Sequence, residues 1–249
     1  MSDLKTPYAD LSSFTENMRV AVFGTGGGIG SAIYDLLASH PRIEQIFGFS
    51  RRHHDPKFQI DFTQPDSIDR ACHMLSDLAP VHLVIVATGM LHDEQQGLTP
   101  EKSWRHLNAN TMAANFQINS IGPALIASKI LPLLAKDSKS VFAAISARVG
   151  SISDNRLGGW HSYRASKAAL NMLLKNFALE LHHRNPAGIV IGLHPGTTDT
   201  DLSKPFQSGL KHDLFTQTEA AYYLIDVINQ ASTQNSGQVL AWDGQIIPA

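Results

Sequence analysis

Arg19-Val20-Ala21-Val22-Phe23-Gly24-Thr25-Gly26-Gly27-Gly28-Ile29-Gly30 is where the fold of this chain is set. The first five residues are a short β-rich run. Five glycines in the next seven form a turn, and Ile29 to Ser39 continues with helical spacing (Ile33, Leu36, Leu37) before Pro41. A strand, a glycine cluster and a helix in succession let backbone N–H groups approach a pyrophosphate, and the helix N-terminus adds positive potential. The spacing is Gly24-x3-Gly28-x-Gly30, with Ile29 between the last two glycines, and not the commoner G-x-G-x-x-G.

Downstream, apolar runs alternate with helical patterns. Strand candidates are 45–49, 58–62, 81–87, 140–146, 188–193 and 238–242. Helix candidates are 67–78, a long stretch over 104–134 broken near Gly122-Pro123, 163–183 and 218–230. Such alternation predicts one doubly wound, Rossmann-type α/β domain with a mostly parallel seven-stranded sheet and helices on both faces. The continuous apolar strands fit a sheet buried on both sides. The domain is expected over 19–249, behind a flexible leader over 1–18.

Tyr163-Arg164-Ala165-Ser166-Lys167 places a phenol and an ammonium four positions apart at the start of a helical pattern, so they share a face. A lysine cation beside a tyrosine favours the phenolate, which makes a proton donor and acceptor usable near neutral pH. At the end of the second strand Ser50-Arg51-Arg52 stands where NAD-binding folds often carry an acid. Two arginines there predict NADP(H) over NAD(H).

Composition narrows the alternatives. The chain has 249 residues, 43% of them hydrophobic, enough for a sizeable core. A net charge of −2 without long single-sign runs argues against a nucleic-acid partner. No run of about 18 apolar residues predicts a membrane span. The polar N-terminus has no secretion signal, and the one cysteine, Cys72, suits a reducing compartment, so a cytoplasmic location is expected. Twelve histidines are scattered without metal-site spacing, and no metal is expected.

Together the glycines at 24, 28 and 30, Tyr163-x3-Lys167, Asn119 in Gln117 to Pro123, and His194-Pro195-Gly196-Thr197-Thr198 resemble the short-chain dehydrogenase/reductase family over nearly the whole chain after residue 18. Gly158 to Lys167 and the ending Trp242-Asp243-Gly244 look like its C-factor-like branch. The resemblance implies an NADP(H)-dependent oxidoreductase that reduces an aldehyde or ketone, or oxidises the matching alcohol. It implies Tyr163 as general acid/base, Lys167 tuning it and holding the nicotinamide ribose, and Asn119 positioning a water. Gly24, Gly28, Ile29, Gly30, Asp61, Phe62, Ala87, Gly89, Pro195, Gly196, Thr198 and Thr200 would meet the cofactor, beside Arg51 and Arg52. The long helices resemble those that relatives pair into homodimers or homotetramers.

Two departures stand out. The usual Asn-Asn-Ala-Gly is Val86-Ala87-Thr88-Gly89, and the usual catalytic serine slot, three before Gly150, holds Ala147. Ser146 is the expected substitute, brought round by a one-residue shift or bulge, with Ser151 in reserve. An NADP-binding regulator with little turnover is the alternative function. Loops 90–103, 151–161 and 201–215 are expected to set specificity.

Overall fold

The computed structural model describes residues 9–208 and 213–249. Strand β1 (Met18–Phe23) runs into α1 (Gly28–Ala38), then β2 (Ile43–Phe49), α2 (Pro65–Ser76) and β3 (Leu83–Val86). Helices α3 (Ala109–Phe116) and α4 (Gly122–Ile130) follow, then β4 (Ser140–Ile145), α5 (His161–Arg184) and β5 (Gly188–His194). The chain ends with α6 (Gln217–Gln230), β6 (Val239–Ala241) and β7 (Ile246–Ile247). The sheet order is β2-β1-β3-β4-β5-β6-β7, parallel except for the antiparallel β6–β7 pair. The order reverses between β1 and β3, which opens a crevice at the carboxyl ends of the strands where ligands of such sheets sit.

Period-two alternation distributes each strand between two cores. Val84 and Val86 of β3 face α2, α4 and α5, whereas Leu83 and Ile85 face α1 and α6. Both cores are closed, as the unbroken apolar strands required.

Three expectations change. Residues 58–62 are not a strand: they make one parallel bridge, Gln59 to Ser50. The Asp61 carboxylate then accepts from the Thr63 N–H (2.9 Å) and hydroxyl (2.7 Å), turning the chain away from the sheet edge toward α2. The seventh strand is instead β7, which returns after a turn with Gly244 at φ +81°. The expected break at Gly122-Pro123 is a π-turn over Gln117–Ile121 inside a helix that continues through it. Proline lacks an N–H and crowds the carbonyl four residues back, and the wider turn relieves that crowding.

The third change concerns the leader. Residues 1–8 lie outside the described residues, but from residue 9 the chain is fastened down. Leu11 and Phe14 are buried against α1 and α6. The Ser13 hydroxyl donates to the Asn229 carbonyl (2.7 Å), and the Lys139 ammonium donates to Ser13 Oγ (2.9 Å) and the Ile228 and Asn229 carbonyls (2.9 and 2.7 Å). Leu11→Ala should therefore cost about 2–4 kcal/mol in chemical denaturation. An unchanged midpoint would mean that this segment is not part of the core.

Candidate active site

The crevice is built around the glycine turn. A Cβ on Gly30 would overlap the Gly24 carbonyl, so only glycine lets α1 start directly on β1. A Cβ on Gly24, at φ +100°, would lie 2.9 Å from the Ala87 carbonyl. Two neighbouring backbones thus close on each other and leave a cleft of about 260 Å³. Gly24, Arg51, Asp61, Phe62, Ala87 and Gly89 all line it, as does Arg52. Neither arginine has an ion-pair partner among the described residues. The buried Thr88 hydroxyl, at the other departure from the family pattern, has no hydrogen-bond partner.

These residues fit a dinucleotide. The turn offers backbone donors at a helix N-terminus, the arginines offer unpaired cations beside them, and the Thr88 hydroxyl is unsatisfied. Ile29 packs partly into the core behind the turn. Thr200 lies over it, since a Cβ on Gly28 would come within 2.9 Å of the Thr200 methyl and 2.7 Å of the Gln217 side chain. Thr198 is buried, with its hydroxyl 3.4 Å from the Pro195 carbonyl. Gly196, at φ +72°, lets Phe215 and Trp242 pack on the Pro-Gly turn.

Beyond the glycine turn, α5 carries Tyr163 and Lys167. Its first turn is fastened by Glu101, whose carboxylate accepts the Ser162 N–H (3.1 Å) and the Ser162 hydroxyl. The Lys167 ammonium is buried, donates to the Ile145 carbonyl (2.7 Å) and lies 5.8 Å from the Tyr163 ring centre. Gly150 permits this, because a Cβ there would stand 2.8 Å from Lys167 Cβ. Gly89 is the other neighbour, its would-be Cβ 3.7 Å from the ammonium.

Burial dominates the titration of this pair. It pushes the Tyr163 phenol up to about 12 and the Lys167 ammonium down to about 7. The lysine-driven fall in the phenol pKa expected from the spacing is therefore outweighed by desolvation. The phenol is held as a donor at neutral pH.

Asn119 lies in the π-turn, fully buried. Its Oδ1 accepts the Met90 N–H (2.8 Å), and its Nδ2 donates to the Met90 carbonyl (2.8 Å) and to Ser166 Oγ (3.0 Å). This side chain is committed to the loop after β3, so it holds the cleft wall. The shift or bulge expected to bring Ser146 round is absent. The β4–β5 register is regular to Ile145–Leu193, and the Ser146 N–H continues the ladder to the Leu193 carbonyl (2.7 Å), with no bulge. The Ser146 hydroxyl donates to Asn171 Oδ1 (2.6 Å). Ser151 Oγ accepts the Asp154 N–H (3.1 Å).

Asn171, Thr88, Glu101 and Gln217 are site residues the sequence reading missed. Asn171 was findable, since it continues the Tyr163–Lys167 stripe by one more turn. Gln217 left no local signal, because it reaches Gly28 from a helix that begins near the end of the chain. The aromatic mouth was only half visible: Trp160 stands against Tyr163 (6.3 Å) and Phe206 (5.1 Å), and His92 against Phe206 (5.7 Å). This draws together the three loops expected to set specificity, of which 209–212 lie outside the described residues.

A phosphate turn at the switch point of a parallel sheet, facing a buried tyrosine–lysine pair, defines a dinucleotide-dependent oxidoreductase site. The family model described as short chain dehydrogenase matches residues 18–211. The chain belongs to the short-chain dehydrogenase/reductase family and is an oxidoreductase of that family.

Among relatives it is 31% identical, over 76% of this chain and 77% of the other, to 1-hydroxy-2-glutathionyl-2-methyl-3-butene dehydrogenase of Rhodococcus sp.. It is 32% identical to C-signal of Myxococcus xanthus, over 55% of this chain and 78% of that protein, in keeping with the C-factor-like branch. The crystal structure of NADPH-bound carbonyl reductase from chicken fatty liver shares the fold, with a TM-score of 0.77 and 24% identity over 94% of this chain and 100% of the other.

The buried lysine gives a pH signature. The folded Lys167 binds its proton less well than the unfolded one, so between about 7 and 10.5 the unfolded state holds more protons. Stability must then rise with pH through that window, by up to about 1.4 kcal/mol per pH unit. Lys139, lowered to about 8 by burial, acts in the same direction. Denaturation midpoints from pH 7 to 9 should climb in the parent protein and climb less in Lys167→Met. Parallel curves would mean that the ammonium is not desolvated.

Proposed function

We propose that this protein reduces an aldehyde or ketone with NADPH, or oxidises the matching alcohol, and that Tyr163 transfers the proton. The observation that carries this reading is the Tyr163–Lys167 pair at the carboxyl end of the sheet, with the phenol protonated at neutral pH. NADPH, bound on the glycine turn, would supply the hydride. Tyr163 donates its proton to the carbonyl oxygen as charge develops there. Lys167 stabilises the phenolate left behind, and a positioned acid of this kind is typically worth about 10²–10⁴ in rate. Arg51 and Arg52 support preference for the 2′-phosphate, since guanidinium forks match phosphate and an acid would repel it.

The remaining roles are part of the same proposal. Asn119 holds the Met90 loop, and through it the Gly89 wall. Gly24, Gly28, Ile29 and Gly30 seat the pyrophosphate, with Thr200 above it. Asp61 and Phe62 line the adenine end, and Ala87, Gly89, Pro195, Gly196 and Thr198 the nicotinamide end. Ser146 acts through Asn171 and not on the carbonyl. We further read the protein as a cytoplasmic homodimer or homotetramer, supported by exposed Met172 and Leu179 on the outer face of α5. Solution mass tests that reading.

A specific observation favours a second reading, an NADP-binding regulator with little turnover: Ala147 occupies the serine slot and Ser146 is occupied by Asn171. NADPH oxidation over a panel of aldehydes, ketones and quinones separates the two. Under the first reading Tyr163→Phe lowers turnover at least about 10²-fold with NADPH binding retained, whereas Ser146→Ala lowers it far less. Near-normal turnover in Tyr163→Phe removes Tyr163 from the chemistry. In titrations the parent should bind NADPH more tightly than NADH, and Arg51→Ala should narrow that gap by about tenfold.

A further inference from the structure

The Pro-Gly turn and the first turn of α5 also border a second hollow, of about 540 Å³. That volume suits a small metabolite. Arg148, Arg156 and Arg164 line it, with Leu157, Phe215 and Trp242 as its apolar walls. Gly196, which we assign to the nicotinamide, also lines this hollow, and Arg164 extends into it from the same first turn of α5 that carries Tyr163.

The charges do not balance within the lining. Arg148 is paired with Asp154 at 3.0 Å. Arg164 is held by the Gly158, Gly159 and Val149 carbonyls (3.2, 3.0 and 3.3 Å), and Arg156 by the Ser153 carbonyl (2.7 Å) and weakly by that of Asn155 (3.4 Å). Neither has a carboxylate within ion-pair distance among the described residues. Asp213 is the other acid in the lining, and it is exposed at the rim. Backbone carbonyls aim these two guanidiniums without neutralising them. A guanidinium is weakly hydrated and its fork fits a carboxylate.

From this arrangement we infer that the substrate is a carbonyl compound bearing a carboxylate, seated on Arg156 and Arg164 with its apolar body against Phe215 and Trp242. Among the described lining residues three guanidiniums stand against two acids, which leaves one positive charge and matches a monoanion. A phosphate dianion would face Asp154 and Asp213 with its second charge uncompensated. The inference rests on the reading of Tyr163 as proton donor, since it names the substrate class of that same site.

The test compares NADPH oxidation with benzaldehyde and para-carboxybenzaldehyde, in the parent protein and in Arg156→Gln and Arg156→Glu. Arg156 is exposed, so both variants should fold, and melting temperatures check that. The parent should prefer the carboxylated aldehyde in kcat/KM. That preference should fall by about tenfold or more in Arg156→Gln and further in Arg156→Glu, mainly through KM. Equal use of both aldehydes by the parent, or a preference that survives in Arg156→Glu, overturns the inference and leaves the proposed reductase intact.

If neither aldehyde is reduced, the reductase reading fails on these compounds, and calorimetric titration with para-(hydroxymethyl)benzoate decides the anion site alone. Binding weakened about tenfold in Arg156→Glu supports the site. No binding, or equal binding, removes it.

Discussion

A lysine ammonium buried at the carboxyl end of the sheet governs how this site is assembled. Lys167 donates to the Ile145 carbonyl at the tip of β4 and lies against the ring of Tyr163. Burying a charge is costly unless it is met by hydrogen bonds and favourable dipoles, so the surroundings of Lys167 are constrained on every side. Gly150 is a glycine because the strand-to-helix connection passes against Lys167 Cβ. The start of α5 must be fixed too, because the lysine is carried by that helix, and Glu101 fixes it through Ser162.

The same constraint explains why the loop after β3 is tied so firmly. Gly89 faces the ammonium, and its neighbour Met90 is bound through both backbone groups to Asn119. Asn119 sits in the π-turn that Pro123 induces, and through Ser166 it also touches the helix that carries Lys167. Proline, asparagine, glycine and lysine from three segments thus act on one another. A change in any of them is expected to be felt as a displacement of the phenol, not only as a loss of stability.

Much of this was legible in the sequence. The turn at Gly24 to Gly30, the Tyr163–Lys167 spacing and the apolar strands carry local patterns with local causes, and the fold followed from them. What was misread depends on distant partners. Residues 58–62 have the alternation of a strand, but the Asp61 turn removes them from the sheet edge. Residues 9–14 look like a polar leader, yet Leu11 and Phe14 find their pockets beneath α1 and α6. The i, i+4 spacing points to Lys167 as the influence on Tyr163, whereas burial pushes the phenol up, and no spacing reports burial.

The alanine at 147 shows how the site differs from its family pattern and why geometry must decide the consequence. A serine one residue earlier looks like a near substitute, but successive residues of a strand point to opposite faces. Without a bulge, the shift by one sends the Ser146 hydroxyl toward α5, where it donates a hydrogen bond to Asn171 Oδ1. Ala147, at the family's serine position in the sequence, has no hydroxyl to donate. Under the proposed reductase reading, stabilisation of the developing oxyanion would fall more heavily on Tyr163. Under that same reading, Lys167 then serves both the chemistry and the packing of the surrounding backbone.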